Sequence, residues 1–292
     1  MSADNILEKV KELREITGVG FKDCKNAIDE TNGDIQKSID LLRTKGIAKA
    51  NKRMGRTAAE GIICISEKNN EFSIVEINSE TDFVAKNNEF ITFGEEISLL
   101  ALNNEGDLEK ILNSRMLSNK SVKDSLVDLI SKIGEKITLR RVSFIKKDKN
   151  VNFSYIHTAI KKNIGKLGVV LSLETVRKND EVLSNFGKNL SMHIAASSPL
   201  AIDKEGLDQD IVNKEKTIII EELKNSGKES KIVEKIAEGK LNKFINENTL
   251  LNQDWIMEPK KKVKDILKEI AGNDKIGIKN FIRFKVGEGV ES

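Results

Sequence analysis

Two short stretches of this chain occur twice, and that repetition constrains the fold more than any other feature. Glu80-Thr81-Asp82-Phe83-Val84-Ala85-Lys86-Asn87-Asn88-Glu89 matches Glu174-Thr175-Val176-Arg177-Lys178-Asn179-Asp180-Glu181 once a single gap is allowed. Ile133-Gly134-Glu135-Lys136, followed by Leu139-Arg140, matches Ile276-Gly277-Ile278-Lys279, followed by Ile282-Arg283. Such self-similarity is the mark of a repeated structural unit. The gap removes Asp82 and Phe83 from the second copy, so this pair reads as an insertion at a strand-to-helix turn. A loop phenylalanine ordinarily tucks into its own core. As part of an insertion it becomes a candidate for a presented wedge.

Hydrophobic periodicity supplies the elements. Ile6, Leu7, Val10, Leu13 and Ile16 recur at helical spacing. Thr17-Gly18-Val19-Gly20 stops that helix, because glycine tolerates the positive φ of a C-terminal cap. A second helix spans Phe21 to Thr31, with Cys24, Ala27 and Ile28 for its buried side. Asn32-Gly33-Asp34 is a turn, and Asp34 is placed to cap a third helix carrying Ile35, Ile39, Leu41 and Leu42. Three helices this short bury little surface, and they resemble the ubiquitin-associated domain, a compact interaction module. Gly46 to Thr57 reads as a linker or a helical extension, with a boundary near residue 55.

A hairpin of β-branched runs follows, Gly61–Ile65 and Phe72–Ile77, turning at Lys68-Asn69-Asn70. Helices are expected at about Asn88–Ala101, Leu108–Leu112 and Val122–Gly134, then a strand over Ile137–Ile145. The second half repeats this order: strands Val151–His157 and Lys166–Glu174, a helix Asp180–Ala196, and a last strand Ile278–Val286. Between them, Asp208–Asn225 and Ser230–Asn246 read as two charged helices broken at Asn225-Ser226-Gly227, an antiparallel hairpin that would project as an arm.

Composition narrows the function. The 49 basic and 46 acidic residues nearly cancel, so no overall basic excess marks a nucleic-acid binder. Aromatics at 4% leave few rings for base stacking and leave the core to Ile, Leu and Val. Pro259-Lys260-Lys261-Lys262-Val263-Lys264 mimics a nuclear import signal. Val263, Ile266, Leu267 and Ile270 instead make it an amphipathic helix with a solvated lysine face. Cys24 and Cys64 are far apart and outside any CxxC pair; they allow one long-range bridge but no disulfide framework, and free thiols of a reducing compartment are the simpler reading. The N-terminus lacks an apolar signal region, and no apolar run nears the roughly 20 residues that span a bilayer. A soluble, cytoplasmic protein without membrane contact is expected.

No motif for catalysis stands out. Gly165-Lys166, Gly187-Lys188 and Gly227-Lys228 lack the rest of a phosphate-binding loop, and HExxH and GxSxG are absent. The two histidines are too far apart for a local metal motif. His193 sits in the apolar stretch Leu190–Ala196 and reads as a core residue, whereas for His157, near Tyr155 and Lys161, a surface or interface role fits as well as a structural one.

These blocks resemble the elongation factor Ts family. Leu13-Arg14-Glu15-Ile16-Thr17-Gly18-Val19-Gly20, with Asp23-Cys24-Lys25 and Asn32-Gly33-Asp34, is similar to its N-terminal module. Thr81-Asp82-Phe83-Val84-Ala85-Lys86 is similar to its signature loop. Met192-His193-Ile194-Ala195-Ala196 with Pro199, and Phe281-Ile282-Arg283-Phe284-Lys285-Val286-Gly287-Glu288-Gly289, are similar to later blocks, all in family order. The resemblance implies an α+β fold: a three-helix, ubiquitin-associated-like partner-binding module over 1–55, then two related α/β subdomains over 56–148 and 149–292. A helical hairpin is inserted in the second at about 208–246. It implies binding to the GTPase elongation factor Tu and release of its GDP, with no enzymatic step and no cofactor, metal or nucleotide held by this chain. By resemblance Thr81, Asp82, Phe83 and Val84 form the loop that dislodges the partner's Mg²⁺, with Phe83 as wedge. Arg14, Val19, Phe21, Lys22 and His157 are further candidate contacts, although capping and core packing account equally well for the first four. Some family members continue past the position of Ser292 into a helical module, which leaves affinity and stoichiometry open, a homodimer or a 2:2 complex included. A ubiquitin-associated-type module for another partner is the second reading.

Overall fold

The computed structural model describes residues 3–177, 180–224 and 230–290. Three helices open the chain: α1 (Ala3–Thr17), α2 (Phe21–Glu30) and α3 (Ile35–Arg53). Val10, Leu13, Cys24, Ala27, Ile28 and Leu42 form their shared core. The Asp34 carboxylate accepts the Lys37 N–H at 3.0 Å and so caps α3, and that bond holds the carboxyl below its ordinary range. The stretch from Gly46 is a helical extension: α3 continues to Arg53, packs on α6 (Val122–Ile133), and Arg53 donates to the Ile130 carbonyl at 3.1 Å.

The strands β1 (Glu60–Lys68) and β2 (Glu71–Ser79) turn on Asn69 and Asn70, whose φ values are 54° and 66°. Positive φ at both central residues is the turn whose twist matches a hairpin, and asparagine tolerates it better than most side chains. Next come α4 (Asn88–Asn103), α5 (Leu108–Asn113), α6 and β3 (Ile137–Ile145), which pairs with β2. The second half runs β4 (Asn150–Lys161), β5 (Ile164–Glu174), α7 (Glu181–Ser197), α8 (Gln209–Lys224), α9 (Ser230–Asn248), α10 (Val263–Ala271) and β6 (Gly277–Lys285), with β6 beside β5. Helix and strand are thus mixed in one α+β chain. A single antiparallel sheet carries both halves, joined where Ile63 and Cys64 of β1 meet Gly165 and Ile164 of β5.

Strand alternation divides the core three ways. Ile62, Cys64, Val75 and Ile77 face α4 and α6. Val169, Leu171 and Leu173 face α7 and α10. The opposite faces meet each other, with Ile63, Ile65 and Ile74 packed on Val170 and Phe284. Helices α8 and α9 pack through Ile219, Leu223, Val233 and Ala237, while Ile245 late in α9 meets Val212 early in α8, so the pair is antiparallel. The break expected at Asn225-Ser226-Gly227 lies outside the described residues, as do Lys178 and Asn179.

Several sequence expectations shift. Strand β4 runs past His157 to Lys161, so His157 does not close it. The repeat is also measured differently by the ladder. With Glu80 matched to Glu174, Ser79 corresponds to Leu173; Ile137 lies opposite Ser79 and Ile278 opposite Leu173, so Ile137 and Ile278 are counterparts. The four-residue match 133–136 with 276–279 is therefore two residues out of step. Glu80 stands seven residues before the α4 N-cap Asn87, and Glu174 six before the α7 N-cap Asp180. The first loop is longer by one residue, not two. The gap that pairs Val84 with Val176 fails as well, because Val84 is buried and Val176 is exposed.

Candidate functional site

The loop after β2 is held at both ends and open in the middle. The Thr81 N–H and hydroxyl both donate to the Glu135 carboxylate, at 2.9 and 2.7 Å, and the Ser79 hydroxyl donates to the Thr81 carbonyl at 2.9 Å. Val84 and Ala85 enter a short 3-10 turn and bury in the core beside Phe90. Asn87 then caps α4 by accepting the N–H groups of Glu89 and Phe90. Between these anchors, Asp82 pairs with Lys86 at 3.2 Å and the Phe83 ring stands 79% exposed. Leaving a phenylalanine in water forgoes about 1.5–3 kcal/mol of burial. Isolated exposed apolar residues are ordinary on protein surfaces, and Leu117 and Val176 are exposed too. What sets Phe83 apart is a frame that fixes its backbone one residue from a buried anchor.

The base of the loop reaches the chain leaving α3. The Glu80 carboxylate accepts the Lys136 N–H at 2.6 Å and pairs with Arg56 at 3.2 Å, while Lys136 Nζ donates to the carbonyls of Met54 and Arg56 at 2.7 Å each. Glu135 and Lys136 were missed as site residues when read only as part of a repeat. Their signal was Gly134: a glycine closing a helix in the left-handed region, here φ 87°, turns the chain sharply enough to send the next residue off the helix axis.

The remaining candidates are dispersed. Val19 lines a cleft of about 590 Å³ between the three helices and the core, shared with Ile16, Leu42, Asn88, Glu89 and Leu129. It therefore lies beside the start of α4, the helix the loop leads into. Arg14, Phe21 and Lys22 are exposed around the α1–α2 turn and do not line that cleft. His157 is exposed on β4, with Nδ1 3.0 Å from the Tyr155 hydroxyl, and no contact among the described residues joins it to the loop.

His193 is buried, and burial pushes its imidazole below the ordinary value. Gln253 gives its amide protons to the carbonyls of Ser197 and Glu247, so its Oε1 must accept from His193 Nε2 at 3.0 Å. Both cysteines are free and buried, and burial raises both thiols. Lys261 pairs with Glu269 and Glu258, and Lys262 with Asp254, so two lysines of the basic run are matched by acids. Among the described residues, no cluster of three or more His, Cys, Asp or Glu could hold a metal, and no helix is long and apolar enough to cross a membrane.

Comparison with known proteins identifies the family. The family model described as elongation factor TS matches residues 80–288, beginning at that loop. Elongation factor Ts of Methylorubrum populi is 45% identical over 285 residues, covering 97% of this chain and 92% of the relative. That of Bartonella quintana is 44% identical over 288 residues, covering 97% and 93%, and that of Gluconobacter oxydans 40% over 282, covering 97% and 92%. The chain belongs to the elongation factor Ts family.

Proposed function

We propose that this chain binds the GTPase elongation factor Tu in its GDP form and promotes GDP release, with the Phe83 ring inserted into the partner as a wedge. The observation that carries the reading is the pose of Phe83, almost wholly exposed on a loop whose neighbours Thr81 and Val84 are anchored. In this reading residues 1–55 are a ubiquitin-associated-like partner module. Residues 56–148 and 149–292 are two related α/β subdomains, and the α8–α9 hairpin, about 208–246, is an inserted arm. Arg14, Val19, Phe21, Lys22 and His157 add contacts at the edges. The protein works in the cytoplasm and catalyses no covalent step.

The mechanism is one of coupling. In the partner, Mg²⁺ bridges GDP phosphate oxygens and protein ligands. A factor that binds the nucleotide-free state more tightly must weaken GDP by the same ratio. An apolar ring that fits only the nucleotide-free arrangement supplies this difference. Burying it is worth about 1.5–3 kcal/mol, a ten- to hundredfold shift if gained in one state only. Asp82 holds the loop to the partner, and the strain reaches the phosphate loop and its metal.

Release of a fluorescent GDP analogue from elongation factor Tu tests this. The intact chain is expected to accelerate release, and Phe83→Ala to slow it at least about tenfold with an unchanged circular dichroism spectrum. Undiminished exchange by Phe83→Ala would sink the wedge. No acceleration by the intact chain would sink the exchange function.

A further inference from the structure

We propose that Glu135 is a positioning residue, one that sets the pose of the Phe83 loop without touching the partner. The proposal rests on the wedge reading above. A wedge produces a difference between two partner states only if the loop does not yield when the ring meets resistance. A loop free to fold back would lose the ring's contacts in both states alike.

The structure supplies the stiffening from one side chain. Glu135 uses its two carboxylate oxygens on two donors of one residue, the N–H and hydroxyl of Thr81. Hydrogen bonds to a carboxylate are roughly twice as strong as neutral ones, and two in parallel fix orientation as well as distance. Thr81 is two residues from Phe83, so its pose passes directly to the ring. Glu135 in turn is fixed by its neighbours. The left-handed Gly134 turns the chain off α6, and the Lys136 N–H is held by Glu80, the residue before Thr81. The loop and the turn after α6 thus brace each other in both directions.

The other half of the molecule shows the brace is not a general need of the fold. There Thr175 follows β5 as Thr81 follows β2, but its hydroxyl accepts from the Arg177 N–H at 3.1 Å, within its own turn. The Arg177 guanidinium then pins the turn to the carbonyls of Ile270 and Ala271 at the end of α10, at 3.0 Å each. With Glu80 matched to Glu174, counting back two residues from Ile137 and Ile278 puts Ile276, an apolar side chain buried in the core, where the first half has Glu135. A carboxylate reaching the loop from the turn before the last strand occurs in the half that presents Phe83.

The test uses the full chain with the fluorescent GDP analogue on elongation factor Tu. Glu135→Ala is expected to lower the maximal exchange rate at saturating factor about tenfold, with little change in the factor concentration giving half that rate and a single cooperative melting transition lowered by only a few degrees. Glu135→Gln is expected to rescue, because its carbonyl accepts the Thr81 N–H and its amide donates to the Thr81 hydroxyl. Amide exchange at Thr81 should speed up in Glu135→Ala and stay slow in Glu135→Gln. Adding Glu135→Ala to Phe83→Ala should change nothing further. If Glu135→Ala unfolds the chain, Thr81→Val removes one of the two bonds and is expected to give a smaller loss of the same kind. A wild-type rate for Glu135→Ala beside a slow Phe83→Ala overturns the positioning role alone. Wild-type rates for both overturn the wedge and the positioning role together. A Glu135→Gln variant as slow as Glu135→Ala overturns the hydrogen-bond basis.

Discussion

His193 lies buried on α7 against the Trp255 ring and the Gln253 amide. Its apolar surroundings marked it as a core residue, and it is buried, stacked on Trp255 at 5.3 Å with one nitrogen on Gln253 and Nδ1 without a hydrogen-bond partner. Gln253 is 60 positions away, and no local pattern points to it. Burial holds the folded imidazole below its ordinary 6.5, so the unfolded chain takes up the proton first as pH falls. Stability from this group is therefore full above about pH 6.5 and declines below it. Carboxyls such as Asp124, held low by hydrogen bonds from Ser121 and Arg43, contribute their loss only at more acid pH. Urea unfolding at pH 7.5 and 5.0 should show a lower midpoint at 5.0, and His193→Gln should flatten that difference. Equal midpoints for the intact chain would mean the imidazole titrates alike folded and unfolded. The same asymmetry of legibility holds at the loop. Phe83 was singled out by an alignment gap that the structure does not support and by resemblance to the family's signature loop, and its exposure is what the structure adds. Glu135 was not singled out, because its partner Thr81 is 54 positions away and glutamates are common on surfaces.

At the scale of elements, periodicity located most α-helices and strands to within a few residues, because alternation and helical spacing are local; α3 runs on to Arg53 through the stretch read as linker or extension, and the 3-10 turns Val84–Lys86 and Leu250–Asn252 are too short to carry a period. What it mistook was the alignment of the two halves, since short identities slide easily past each other. The helices give a better register. Phe93-Gly94 lies seven residues into α4 from the cap Asn87, as Phe186-Gly187 lies seven into α7 from Asp180. Both glycines are where a helix touches its sheet: a Cβ on Gly94 would come within 2.8 Å of Cys64 Sγ and Ile62 Cδ1, and one on Gly187 within 2.5 Å of the Phe153 ring. Elsewhere in a helix, glycine to alanine gains up to about 1 kcal/mol. At these contacts overpacking costs about 1–3 kcal/mol and should win. Gly94→Ala and Gly187→Ala are each expected to lower the urea midpoint. A stabilised variant at either position would show that the helix can lift from its sheet at no cost.

Across the whole molecule the halves hold each other by polar contacts at opposite ends. The β1–β2 turn reaches the second half, where Asn70 donates to the Asn150 carbonyl at 2.9 Å and accepts the Asn152 N–H at 2.8 Å. The end of the chain reaches back to the first half. Glu76 on β2 is fully buried and receives Arg140, Arg141, the Asn78 amide at 3.0 Å and the Gly287 N–H at 2.8 Å. Two consecutive strand residues normally point to opposite faces. Here the ladder shifts register after Glu76, leaving Arg140 unopposed, and a bulge of this kind lets both guanidiniums converge on one carboxylate. Arg140 and Arg141 then donate onward to the carbonyls of Glu288 and Lys285, and Arg141 lies 4.1 Å from the centre of the Phe284 ring. Removing Glu76 takes from both arginines their buried partner, leaving them their carbonyls and some solvent, and frees the closing turn of β6, so Glu76→Ala should cost about 3 kcal/mol, the low end for a broken buried pair. The single tryptophan reads out where that cost falls, because Trp255 is buried in the second half against Phe186. If the halves fold as one unit, Glu76→Ala in the first half lowers the Trp255 fluorescence midpoint by the same amount as the circular dichroism midpoint, and the two transitions coincide. If the halves are independent, the tryptophan transition stays at its wild-type denaturant concentration while the circular dichroism curve splits in two.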